Sequence, residues 1–125
     1  MKPITVELAC ELNRQIVQRF GGEAGLRDKS LLEAALAQPY QTFDGKDLYP
    51  SIQEKASRLC FEVITQHPFI DGNKRMGATL LGVMLRGNGI SFMPNHNELY
   101  QLIMGVARGA QDYQDILQFT NRNCS

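Results

Sequence analysis

At 125 residues, 43% of them apolar and 21% charged, the chain has material for one hydrophobic core and not for two. That apolar fraction excludes a disordered chain, and the formal net charge of zero gives no general pull towards nucleic acid or a membrane surface. No apolar run reaches membrane-spanning length without a charge, and the N-terminus lacks the basic-then-apolar layout of a signal peptide, so a cytoplasmic protein of one domain over residues 1–125 is expected.

Thr5 can cap a first helix reaching Phe20, with Ala9, Leu12, Ile16 and Phe20 as its buried face and Gly21-Gly22 as its stop. Ser30-Leu31-Leu32-Glu33 fits a capping box, and Asp28 could start the same helix slightly earlier. Leu32, Ala35 and Leu36 supply its apolar face, and Pro39 ends it. Residues 39–50 read as a loop in which Asp44-Gly45 is a turn signal, so the flanks can pair as a small hairpin. Ser51-Ile52-Gln53-Glu54 is a second capping box, opening a helix with Ile52, Ala56, Leu59, Cys60, Val63 and Ile64 on one side, up to Gln66.

His67 precedes a proline, which biases it away from helical geometry and ends that helix. The next helix opens within Asp71-Gly72-Asn73 and is apolar on nearly every side, which makes it the buried central helix. Gly77 and Gly82 weaken it intrinsically by about 1 kcal/mol each, and close helix packing is the reason expected for them. Gly87-Asn88-Gly89 ends it. Residues 90–93 form a short extended piece before Pro94. Asn97 can cap a helix carrying Leu99, Leu102, Ile103 and Val106, and Asp112 can cap a last one with Ile116, Leu117 and Phe119. The expected fold is all-α, with about six helices and almost no strand.

The cysteines, Cys10, Cys60 and Cys124, are odd in number and share no metal-ligand spacing, so Cys10 and Cys60, on apolar helix faces, read as buried free thiols. The two histidines, His67 and His96, form no helical metal pair, so no structural zinc site is expected.

The chemistry concentrates in His67-Pro68-Phe69-Ile70-Asp71-Gly72-Asn73-Lys74-Arg75. A helix that opens here presents free backbone N–H groups and the positive end of its dipole, together an anion site. Lys74 and Arg75 add two cations in the same turn, and Arg75 can hold phosphate with a two-pronged grip. His67 is a candidate general base, because histidine ordinarily titrates near neutral pH. Asp71 is a candidate Mg²⁺ carboxylate, and Gly72 and Asn73 belong to the phosphate cradle. Each residue also has a bland reading: His67 a helix-end residue, Asp71 and Asn73 helix caps, Lys74-Arg75 a solvated face. Phe69 reads as a loop anchor in the core.

The stretch resembles the signature of the Fic/Doc superfamily, H-x-F-x-[DE]-G-N-[GK]-R, at His67, Phe69, Asp71, Gly72, Asn73 and Arg75. Lys74 stands where the adenylyltransferase form has a second glycine, and Ala78 where that form has a second arginine. Both departures are features of the death-on-curing (Doc) branch. The resemblance implies an all-α Fic/Doc-like bundle of about six helices around a buried central helix, with a short flap before the third helix that holds a target peptide. It implies transfer of the terminal phosphate of ATP, with Mg²⁺, onto a threonine of elongation factor Tu. His67, Asp71, Asn73, Lys74 and Arg75 would then be the catalytic set, Asp71 the metal ligand, and residues 72–75 the phosphate grip. Such a protein would be the toxin of a type II toxin–antitoxin pair, restrained by a Phd-type antitoxin, and would arrest translation. Many Fic proteins inhibit themselves through an [ST]-x-x-x-E-[GN] helix, and no Ser or Thr here has Glu four residues later. Two rival readings are an AMP-transferring enzyme on the same scaffold and a catalytically idle member that acts by binding a partner.

Overall fold

Side-chain caps set most helix starts in the computed structural model, which describes residues 3–125. Helix α1, Val6–Phe20, opens where the Thr5 hydroxyl accepts from Leu8 N–H and closes where Gly21 N–H meets the Val17 carbonyl. Its buried stripe is Ala9, Asn13 and Val17. Leu12 and Ile16 are half-buried, and Phe20 stands 55% exposed, so the face expected from apolar spacing is turned by part of a turn. The apolar pattern locates a broad stripe and leaves its edges open; here Asn13, with its amide paired, takes the central place.

Helix α2, Lys29–Ala37, is capped by Asp28 and not by Ser30. Asp28 Oδ1 accepts from the backbone N–H groups of Ser30 and Leu31, while the Ser30 hydroxyl donates to the same oxygen at 2.6 Å. A 3₁₀ turn, Gln38–Tyr40, takes in Pro39 and leads to the expected hairpin, β1 (Thr42–Phe43) and β2 (Lys46–Asp47), in register Thr42–Asp47 and Phe43–Lys46. Asp44 and Gly45 at its tip have φ of 54° and 75°, the left-handed pair that a tight two-residue hairpin turn requires. Lys55, almost fully buried, moors the hairpin's base: its ammonium bonds Asp47 Oδ2 at 3.2 Å and the Tyr49 carbonyl, and lies over the Tyr40 ring.

Helix α3, Ile52–Gln66, begins with the Ser51/Glu54 capping box in reciprocal form. Helix α4, Asn73–Gly87, follows a six-residue loop, residues 67–72. Helix α5, His96–Ala107, starts two residues earlier than expected, because Asn95 Oδ1 takes Glu98 N–H and Asn97 caps nothing. Helix α6, Tyr113–Arg122, has the expected Asp112 cap, completed by Asp115. The extended piece at residues 91–93 pairs with the C-terminus through Met93 N–H to the Asn123 carbonyl and Ser125 N–H to the Ser91 carbonyl, both 3.0 Å.

The core is one cluster, centred on Met76, Leu80, Leu81, Met84 and Leu85 of α4 and Leu59, Cys60, Val63 and Ile64 of α3. Helix α4 is buried as expected, and α3 shares the centre, touching α2, α4, α5 and α6. Gly77 is there for close packing: a Cβ on it would come within 2.6 Å of Ile64 Cγ1. Gly82 is not, since its nearest obstruction is the flexible end of Arg86. Burial pushes the Cys60 thiol up to about 12. Cys10 is only half-buried, contrary to the expectation for it. Among the described residues no helix is long and apolar enough to cross a membrane.

Candidate active site

The loop between α3 and α4 is built from its backbone outward. His67 closes α3 with φ 53° and ψ 59°, a left-handed cap that a non-glycine residue adopts at a cost on the order of 1 kcal/mol. Its N–H still reaches the Val63 carbonyl, while its own carbonyl accepts from Arg27 Nε at 2.6 Å. Pro68 is buried and its carbonyl takes two N–H groups, from Arg27 at 2.8 Å and Asp28 at 3.1 Å. Leu26 pairs with Phe69 in an antiparallel bridge, and Ile70 N–H bonds the Gly25 carbonyl. Residues 25–28 thus run along the loop as a brace.

Phe69 is fully buried beneath this loop. Asn73 folds its side chain back onto Phe69, accepting from its N–H at 3.0 Å and donating to its carbonyl at 2.9 Å. Its amide therefore holds the shape of the loop; it does not cap α4. Asp71 does not cap the helix either. Its Oδ2 accepts from Glu23 N–H at 2.7 Å, and its other oxygen has no partner among the described residues. A Cβ at Gly22, where φ is +109°, would lie 2.9 Å from Asp71 Cβ, so glycine makes room for the carboxylate. Asn13 ties the same point from below: its Nδ2 donates to the Asp71 carbonyl at 3.0 Å and its Oδ1 accepts from Gly25 N–H at 3.2 Å.

The consequence is an uncapped helix start. Gly72 is the N-cap of α4 with φ 83° and has no side chain to offer, and the first helix bond is Met76 N–H to the Gly72 carbonyl. The N–H groups of Asn73, Lys74 and Arg75 are left for an anion. They border a cleft of about 400 Å³, lined by Ile16, Phe20, Gly21, Gly22, His67 and residues 70–75. His67, Asp71, Lys74 and Arg75 are exposed on it. The Arg75 guanidinium stacks on the Phe20 ring, 4.0 Å from its centroid, which gives the exposed Phe20 its role. Phe20, Lys74 and Arg75 also border a second cavity of about 670 Å³, continued by Ala78, His96, Leu99, Tyr100, Ile103 and Met104.

Six of the predicted site residues, His67, Asp71, Gly72, Asn73, Lys74 and Arg75, meet on one cleft, and Phe69 lies behind it. Asn13, Phe20, Gly22, Glu23 and Arg27 were not foreseen as parts of the site. A family model described as the Fic/DOC family matches residues 3–85, two thirds of the chain. The chain belongs to the Fic/DOC family. The match takes in α1 to α3 and α4 as far as Leu85, and so every residue of the cleft. A curated relative, "Toxin Doc" of Mycolicibacterium smegmatis, is 41% identical over 71 residues, which are 57% of this chain and 55% of that protein. The chain spans about half the length of that relative in this match.

Proposed function

We propose that this protein is a Doc-type toxin that transfers the terminal phosphate of ATP onto a protein hydroxyl. The observation that carries the reading is the uncapped start of α4, with Lys74 and Arg75 in its first turn, on the same cleft as His67 and Asp71. The likeness to a protein named as a Doc toxin supports it.

The donor set fits Mg²⁺ and a polyphosphate. Three free N–H groups and two cations suit phosphate oxygens, and Asp71 keeps one carboxylate oxygen unpaired among the described residues. Among those residues no three His, Cys, Asp or Glu side chains gather into a metal cage, so Asp71 would hold Mg²⁺ together with phosphate oxygens and water, as that ion commonly accepts. When bound, Mg²⁺ neutralises phosphate charge. The residues of this chain do the rest. His67 accepts the proton of the incoming hydroxyl at a ring nitrogen, neither of which has a partner among the described residues. The α4 N–H groups, Lys74 and Arg75 hold the charge that develops on the transferred group. The second cavity offers room beside the phosphate grip for the rest of the nucleotide.

The proposed target is a threonine of elongation factor Tu, in the cytoplasm, with translation arrest as the result and a Phd-type antitoxin as the restraint. The hairpin is the proposed seat for the target segment: its two strands are exposed, and Phe43 stands 75% in solvent. Incubation with elongation factor Tu and Mg²⁺, using α- and γ-labelled ATP in parallel, is the test. Label from the γ position alone is expected on the target. Label from the α position would replace phosphate transfer by AMP transfer, and label from neither would point to a binding role only.

A further inference from the structure

Arg27 lies outside the motif, 40 residues before His67, yet its side chain is spent on the backbone of that motif. Nε donates to the His67 carbonyl at 2.6 Å and Nη2 to the Gln66 carbonyl at 2.8 Å, while the Arg27 backbone N–H takes the Pro68 carbonyl at 2.8 Å. One residue thus holds three successive carbonyls at the turn where α3 stops. The peptide between His67 and Pro68 is where the chain leaves the helix, and His67 is one of only two non-glycine residues with positive φ among those described. Lacking a glycine's freedom, and followed by a proline that disfavours compact geometry, His67 needs outside support to stay in this conformation. The planar fork of a guanidinium suits two carbonyls at fixed spacing, and a cation is favoured at a helix C-terminus. The imidazole can do nothing unless its Cα–Cβ bond is aimed at the cleft, and that aim is set by the dihedrals Arg27 holds.

We infer that Arg27 is a positioning residue for His67, fixing the left-handed turn that points the imidazole into the cleft. The inference rests on His67 being the base, as proposed above. Arg27 is exposed and borders no part of the cleft, so it does not act on the nucleotide.

The test compares Arg27→Ala and Arg27→Lys with the unaltered protein in three measurements: kcat for transfer, Kd for Mg-ATP, and the ring resonances of the histidines. With two histidines in the chain, a His67→Ala sample assigns the His67 ¹³Cε1–¹H signal and leaves His96 as internal control. Arg27→Ala should lower kcat on the order of tenfold or more, since small misplacements of a reacting group are costly. Kd should stay within about twofold, because the phosphate grip at α4 is untouched. The His67 signal should shift or broaden while the His96 signal holds. Arg27→Lys, with the charge but not the fork, should fall between. A His67 signal superimposable on the unaltered protein's, or a Kd that weakens in step with kcat, would overturn the inference. Should the unaltered protein transfer neither label, the phosphate-transfer reading falls by itself, and the resonance alone decides on Arg27.

Discussion

His67 has a backbone that belongs to α3 and a side chain that belongs to the cleft, and substitutions there must be read on both counts. Alanine removes the imidazole and also fits the left-handed region poorly, whereas asparagine tolerates it. His67→Ala and His67→Asn should both lose on the order of 10²–10⁴ in transfer rate, with His67→Asn unfolding nearer the temperature of the parent. A variant that keeps full activity in the labelled-ATP assay would remove His67 as the base. Arg75 is doubly engaged too, by charge and by its stack on Phe20. Arg75→Lys keeps the charge and loses the fork and much of the stack, so nucleotide affinity, read by calorimetry, should order as parent, Arg75→Lys, Arg75→Ala. At Cys60, burial holds the thiol at about 12, so alkylation at pH 8 should spare it in the folded protein and reach it only after denaturation, as peptide mapping would show.

Helix starts are where local sequence and structure agree best. Thr5, Ser51 and Asp112 cap the helices they were expected to cap, because a cap acts within three residues and its signal is written there. Two starts fall elsewhere than the expected cap or between two candidates: Asn95, not Asn97, takes Glu98 N–H, and Asp28 outdoes Ser30 by holding the Ser30 hydroxyl on its own carboxylate. The cleft was visible in the sequence only as far as it is local. Residues 67–75 are contiguous, but Asn13, Glu23 and Arg27 reach them from 40 to 58 positions away, and no periodicity reports such a partner. Phe20 misled for a related reason: an apolar residue at helical spacing reads as core unless its cationic partner is known. The Asp28 cap carries a pH signature. The Ser30 hydroxyl, foremost, and the Leu31 N–H hold its carboxyl below the usual carboxylate range. A lowered folded-state value means stability that is present above the ordinary aspartate range and lost as pH falls through the lowered one. Asp28→Asn should therefore cost thermal stability at pH 7, and the gap in Tm from the parent should narrow on acidification, when scanned from pH 7 to pH 2.

At the scale of the whole molecule, the cleft exists only where three distant stretches meet: α1, residues 22–28 with the brace at their end, and the loop into α4. Asn13 is the joint. It is buried, its amide spans the Asp71 carbonyl and Gly25 N–H, and its nitrogen packs 3.5 Å from where a Cβ on Gly72 would be. Removing such a group breaks two part-buried hydrogen bonds at once, a loss of about 1–3 kcal/mol for the pair. Asn13→Ala should therefore lower Tm by several degrees and also weaken Mg-ATP binding, because the Asp71–Gly72 peptide sets the direction of the free α4 N–H groups. Gly77→Ala is the matched control. Its added methyl strikes Ile64 at the α3–α4 contact, one turn below the cleft, and overpacking of this kind costs about 1–3 kcal/mol as well. The two variants should be destabilised to similar extents by urea titration, yet only Asn13→Ala should shift Kd, since of these two residues only Asn13 bonds the loop that leads into the proposed anion site. Equal loss of affinity in both would mean that binding follows global stability, and the joint at Asn13 would have no separate part in shaping the cleft.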